Sequence, residues 1–144
     1  MIVAFCGHSQ YISSAADERR ILEILSQTVG DGFAEIYLGG YGAFDEFARK
    51  CARKYQQTHS NIKLVFVTPY IKADNCKDLY DEIIYPELEN VPLKFAISHR
   101  NKWMAERAAC IIAYINREWG GAYQMYKYAK RKNKVIFNIA DKEI

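Results

Sequence analysis

Apolar residues along the chain follow two rhythms. Nearly continuous runs at 2–6, 34–38, 62–68, 110–115 and 135–139, interrupted only by Glu35, Lys63, Thr68 and Asn138, have the length and continuity of strands buried on both faces of a sheet. Between the runs the spacing lengthens. Phe44, Phe47, Ala48, Cys51, Ala52 and Tyr55 recur at i, i+3, i+4, i+7, i+8 and i+11, with Arg49, Lys50, Arg53 and Lys54 opposite, which predicts an amphipathic helix. Ile21, Leu22, Leu25 and Val29 predict a helix stopped by Gly30 and Gly32, and Ala122, Met125, Tyr126 and Ala129 predict another opened by Gly120-Gly121. The middle of the chain is less marked. Segment 77–85, carrying Leu79, Tyr80, Ile83 and Ile84 before Pro86, predicts a short helix. Segment 93–97 predicts a weaker fourth strand, and 101–109 a helix.

Strand and helix thus alternate from end to end. Such alternation implies parallel pairing through right-handed crossovers, with helices on both faces of one sheet. A single doubly wound α/β domain spanning 1–144 is the expectation.

Composition narrows the function. Of 144 residues, 50% are hydrophobic and 26% charged, as in a globular rather than a disordered chain. No apolar run approaches the ~18 residues that cross a bilayer, and the start lacks a basic leader, so no membrane association is expected. Four scattered cysteines, Cys6, Cys51, Cys76 and Cys110, form no Cys-x-x-Cys pair and have no histidine at ligand spacing. They predict no metal and fit a reducing cytoplasm. The net charge of +3 is too mild to demand nucleic acid. Lys127, Lys130, Arg131, Lys132 and Lys134 crowd where cations suit a helix C-terminus; single-stranded nucleic acid on that helix is the lesser reading.

Ligands of open parallel sheets bind at the carboxyl ends of strands. Three such ends carry unusual turns: Gly7-His8-Ser9, Gly39-Gly40-Tyr41-Gly42, and the stretch from Asn116 to Gly120-Gly121. Glycine permits close backbone approach, and a following helix start offers free N–H groups to anions. The second turn leads into Asp45-Glu46, which repel phosphate but suit sugar hydroxyls or acid–base work. The third leads into Ala122-Tyr123-Gln124 without an acid and is the better phosphate cradle. Arg100, beside Asn101, supplies a fork that pairs with phosphate. Tyr41, Tyr70 and Trp119 stand at strand ends, where a base can stack.

The segment Gly-Gly-Tyr-Gly-Ala-Phe-Asp-Glu at 39–46 resembles the Gly-Gly-x-Gly-Thr-x-x-Glu signature of LOG-type phosphoribohydrolases. Arg100-Asn101-x-x-Met104, Ile111-Ile112-Ala113-Tyr114, Gly120-Gly121 and Tyr128-Ala129 resemble, in order, the wider SLOG superfamily, which also includes DNA-processing protein A. The opening Cys6-Gly7-His8-Ser9 resembles that of its YpsA/YspA-like branch. The resemblance implies a Rossmann-like three-layer sandwich with a mostly parallel central sheet. It also implies a nucleotide or nucleotide-derived ligand, without further cofactor, held by a sensor or accessory protein. The residues implicated are Gly7, His8, Ser9, Gly39, Gly40, Gly42, Arg100, Asn101, Asn116, Gly120 and Gly121. The alternative is a LOG-like hydrolase cleaving the N-glycosidic bond of a nucleoside monophosphate, with Glu46 or Asp45 as the catalytic residue acting on the ribose or on the attacking water and Arg100 holding phosphate. Ala43 stands where LOG enzymes carry threonine and Ser9 where the YpsA-like opening carries arginine, so the ligand-binding branch is the closer likeness. Relatives of this kind often dimerise, and homo-oligomerisation through the helix face at 125–128 is a further expectation.

Overall fold

The computed structural model describes residues 1–71 and 78–141. Six parallel strands form one sheet: β1 (Ile2–Gly7), β2 (Ala34–Leu38), β3 (Ile62–Val67), β4 (Glu82–Ile84), β5 (Cys110–Tyr114) and β6 (Val135–Asn138). Their order is β4-β3-β2-β1-β5-β6. Four helices, α1 (Ala15–Thr28), α2 (Ala43–Gln56), α3 (Ala96–Arg107) and α4 (Gly121–Arg131), make the crossovers. The architecture is a Rossmann-like α/β sandwich.

Strand periodicity divides the core in two. Val3, Phe5, Ile36, Leu38 and Leu64 point to the face covered by α1 and α2, where Ile21, Leu25, Phe44, Ala48 and Ala52 meet them. Ala4, Cys6, Tyr37, Val65, Ile111 and Ala113 point to the other face, under Met104, Ala105, Met125 and Ala129 of α3 and α4. Burial on both sides is why the strands read as nearly continuous apolar runs.

The helix starts are specified locally. Ser14 caps α1, its side chain accepting from the Asp17 N–H at 3.1 Å, with Asp17 and Glu18 in the first turn, where anions suit the helix dipole. Phe44 anchors α2. It is fully buried against the rings of Phe5, Tyr11 and Tyr114, and burial of such a ring contributes about 1.5–3 kcal/mol.

Two expectations for the middle of the chain are corrected. Residues 82–84 form strand β4, paired with β3 through Val65–Val67, not a helix; the predicted segment starts at Lys77, which with Cys76 lies outside the described residues. Ile83 and Ile84 are β-branched and extend the sheet edge instead. The expected strand 93–97 is a 3₁₀ turn (Leu93–Phe95) running straight into α3. Leu93, Phe95 and Ile97 alternate like a strand but face solvent. The buried set of α3 is Ala96, Arg100, Met104 and Ala105, which is helical spacing.

Strand order reverses between β1 and β5. From β1 the chain turns to α1 on one face; from β5 it turns to α4 on the other. Their loops diverge at the carboxyl edge and open a crevice there. Among the described residues, no helix is long and apolar enough to cross a membrane.

Candidate functional site

A cavity of about 160 Å³ lies in that crevice. Such a volume holds several waters or a small polyatomic group. Its walls are Gly7, His8 and Ser9 after β1, Gly39, Tyr41 and Asp45 around the start of α2, Arg100 and Asn101 on α3, and Arg117, Gly121 and Ala122 leading into α4. Cys6, Met104 and Met125 contribute apolar surface.

His8 is 2% exposed. Its Nε2 accepts the Asn116 N–H at 3.2 Å, so in the neutral ring Nδ1 carries the hydrogen. Burial, then the Arg117 charge, holds the imidazole below its usual pKa. Nδ1 has no partner, and neither does Nε of Arg117; both are buried. A buried donor without an acceptor costs about 1–3 kcal/mol, and both residues line the cavity. The Arg117 guanidinium lies 3.7 Å from the Trp119 ring centroid, which holds the head group in place. Asn138 clamps the start of the same loop: its Oδ1 accepts the Ile115 N–H at 3.0 Å and its Nδ2 donates to the Ile115 carbonyl at 2.9 Å.

The helix α4 begins beside these groups. Gly120 is its N-cap and provides no side-chain bond to the first turn, so the first N–H groups of α4, on Gly121 and Ala122 of the lining, have no intrahelical partners. The Cys6 thiol donates to the Ala122 carbonyl at 3.2 Å, tying β1 to that turn. Burial, then the Asp45 charge, keeps this thiol protonated.

Arg100 is differently employed. It is 3% exposed, and Nη1 donates to the carbonyls of Gly39 at 2.9 Å and Val67 at 2.7 Å while Nε donates to Asn101 Oδ1 at 2.9 Å. It therefore ties α3 to the ends of β2 and β3, as satisfied buried polar groups do, and leaves Nη2 toward the cavity. The expectation that Arg100 follows a strand is corrected with that strand: it sits in the second turn of α3. A Cβ on Gly39 would lie 3.2 Å from Asp45 Oδ2 and 3.3 Å from Arg100 Nη2; the missing side chain is what lets the two come to one place. Asp45 Oδ2 accepts the Tyr41 N–H at 3.1 Å. Burial pushes the carboxyl up to about 6 against the opposing pull of that N–H and of Arg100.

The structure thus brings Gly7, His8, Ser9, Gly39, Asp45, Arg100, Asn101 and Gly121 to one cavity. Asn116 supports it through His8, and Gly120 caps the helix behind it. Gly40, Gly42 and Glu46 stand apart from the lining. Glu46 points to solvent and pairs with Lys50 at 3.4 Å. Tyr41 is at the cavity mouth, whereas Tyr70 lines a separate apolar groove. Arg117 is the charged lining residue that sequence reasoning passed over; a cation inside the glycine-ended turn 116–121 is the available signal. Among the described residues, no three His, Cys, Asp or Glu side chains gather to hold a metal. The basic end of α4 covers its own aromatic residues: Lys127 lies 5.5 Å from the Tyr123 ring and Lys130 5.1 Å from that of Tyr126.

Two solved structures share this fold. One is DNA processing protein A from Helicobacter pylori, studied for its single-stranded DNA binding mode; it superposes with a TM-score of 0.65 at 16% identity, over 96% of this chain and 64% of that one. The other is DNA processing protein A from Streptococcus pneumoniae, with a TM-score of 0.67 at 18% identity, over 99% of this chain and 51% of that one. The chain therefore spans less than two thirds of either, and identity at this level speaks to the Rossmann-like fold alone. No protein-family model matches the sequence, and no curated protein matches it.

Proposed function

We propose that this protein binds a nucleotide or nucleotide-derived ligand at the carboxyl edge of its sheet, as a YpsA-like member of the SLOG superfamily. The phosphate sits against the first turn of α4, and the sugar faces Asp45. One observation carries the reading: His8 and Arg117, each with a buried N–H that has no partner, line the same cavity as the uncapped start of α4. Charge-assisted N–H donors are the strong partners of phosphate oxygens, and a helix start favours negative charge. The neutral state of His8 suits it to donate one N–H without adding charge.

Calorimetry with nucleoside monophosphates, cyclic nucleotides, ADP-ribose and a short single-stranded oligonucleotide tests the proposal. The oligonucleotide belongs there because the H. pylori neighbour binds single-stranded DNA. Binding that falls at least about tenfold in Arg117→Ala supports it. No binding to any member, or equal binding by the variant, overturns it.

The protonation of Asp45 favours a second reading. A buried carboxyl with a pKa of about 6 is poised near neutral pH for proton transfer. In this reading water attacks the anomeric carbon, the bond to the base nitrogen breaks, the carboxyl supplies the proton to the leaving base, and the attacking water's proton passes to the carboxylate so formed. Chromatography for free base after incubation with nucleoside monophosphates decides. Release lost in Asp45→Asn but kept in Glu46→Gln assigns the role to Asp45; equal traces from wild type and Asp45→Asn exclude it.

A further inference from the structure

At the end of β6 a side chain takes over from the backbone. In a parallel ladder one residue donates its N–H to a carbonyl of the neighbouring strand and accepts through its own carbonyl from the N–H two residues further on. Ile139, just past β6, keeps the first half of that pattern: its N–H donates to the Ala113 carbonyl at 2.8 Å. The second half would bring the Ile115 N–H to the Ile139 carbonyl. That carbonyl instead accepts Nη1 of Arg20, from α1, at 2.8 Å. The Ile115 N–H goes to Oδ1 of Asn138 at 3.0 Å, and Asn138 Nδ2 donates back to the Ile115 carbonyl at 2.9 Å. Oδ1 accepts the Ala140 N–H as well, at 3.2 Å.

A carboxamide carries the donor and the acceptor of a peptide group, so Asn138 extends the ladder by one rung, into the loop that holds Arg117. That rung reaches the cavity through a single peptide unit. The Ile115 carbonyl and the Asn116 N–H belong to one planar trans peptide and point opposite ways. Asn138 bonds the carbonyl, and the N–H donates to Nε2 of His8 at 3.2 Å. Fixing the carbonyl therefore aims the N–H. In a neutral imidazole the bond made by one nitrogen decides which nitrogen carries the hydrogen, and here it leaves the hydrogen on Nδ1. His8 lines the cavity, is 2% exposed and has Nδ1 unpartnered. Asn138 is not in the lining.

We infer that Asn138 is a positioning residue of the cavity: from the last rung of the sheet it holds the 115–116 peptide against His8 and so sets the ring as an Nδ1–H donor. The tautomer is a property of the protein alone. Only the second readout below, phosphate affinity, rests on the reading given under Proposed function.

Long-range ¹H–¹⁵N correlation of the His8 ring, at mildly alkaline pH where the imidazole is neutral, tests it in the whole chain. The wild type is expected to show a protonated Nδ1 and an unprotonated Nε2; a hydrogen on Nε2 overturns the inference before any variant is made. Asn138→Leu, which keeps much of the volume and removes every bond of the amide, and Asn138→Ala are expected to bring the two nitrogens toward the averaged pattern of a free imidazole. Affinity for inorganic phosphate, by calorimetry, is expected to fall about tenfold in both, roughly the value of one hydrogen bond. Arg20→Ala loosens the same segment at the Ile139 and Asp141 carbonyls without touching the amide, and is expected to leave both the ring pattern and the affinity as in the wild type. A ring pattern unchanged in the Asn138 variants, or changed equally by Arg20→Ala, overturns the positioning role whatever the affinity does. A wild type that binds no phosphate, with a ring pattern that follows Asn138, contradicts the phosphate reading and leaves the role of Asn138 standing.

Discussion

The turns before α2 and before α4 start their helices from the same backbone shape, Gly42 at φ 92° and ψ 172°, Gly120 at φ 97° and ψ 171°, yet one is closed and the other open. A Cβ on Gly42 would lie 2.6 Å from Ser9 Cα, and the Ala43 N–H already donates to the Ser9 carbonyl at 2.9 Å. At the second turn the nearest atom to such a Cβ on Gly120 is Arg117 Nη2 at 3.7 Å, and Gly121 has nothing within 4 Å. The first turn uses its glycines so that the chain itself can pack into the space; the second leaves the space for something else. A glycine-rich helix start is therefore no sign of a ligand until one knows what occupies the volume the side chains vacate.

Stability measurements break this comparison most sharply. Gly42→Ala meets both a left-handed φ and the Ser9 backbone, and is expected to cost about 2–4 kcal/mol in urea denaturation. Gly121→Ala enters open space and is expected to change stability by less than about 0.5 kcal/mol. Equal losses would mean that the two turns are not different in kind.

Binding should divide the turns the other way. Arg117→Ala is expected to weaken phosphate-bearing ligands by at least about tenfold, roughly the value of a charge-assisted bond, with little change in Tm. A drop in Tm as large as that for Gly42→Ala would make Arg117 a structural residue.

Asp45, on the closed turn, gives a smaller and pH-dependent effect. Its native carboxyl titrates near 6 and its unfolded one near 3.8. Between those values the folded protein keeps a proton that the unfolded chain has lost, so the contribution to stability falls as pH rises through the window. Asp45→Asn is expected to flatten that slope between pH 4 and pH 6, as read from urea midpoints across pH. An unchanged slope would place the group in water.

The smallest effect is expected at the far end of α4. The double variant Lys127→Ala, Lys130→Ala removes two exposed cation–π contacts and should lower stability by about 1 kcal/mol or less, leaving small-ligand binding intact.

How far the sequence carried depends on what kind of signal each feature left. The two-sided burial of β1, β2, β3 and β5 writes itself as nearly continuous apolar runs, so the sheet and its alternation with helices were readable. Strand β4 is three residues long, too short for any period. Leu93, Phe95 and Ile97 imitated a strand because solvent-facing apolar residues obey no core rhythm. At the site, strand ends and glycines point to the carboxyl edge, where the crevice lies, since topology alone opens it there. The choice between Asp45 and Glu46 was not legible: neighbours on a helix differ by about 100° in direction, and only the docking of α2 through Phe44 turns one inward and the other to solvent. Arg117 was hidden for a related reason. Its importance lies in a buried, unpaired Nε, a property of packing; the sequence shows only a cation inside a glycine-ended turn.

Two-dimensional ¹H–¹⁵N NMR during titration with adenosine monophosphate addresses the contrast directly. The amides of Gly121 and Ala122 and the ring nitrogens of His8 are expected to shift together and saturate with one affinity, while those of Ala43 and Phe44 stay in place. Shifts concentrated at Ala43 and Phe44, or an unmoved His8, would contradict an anion site at the start of α4.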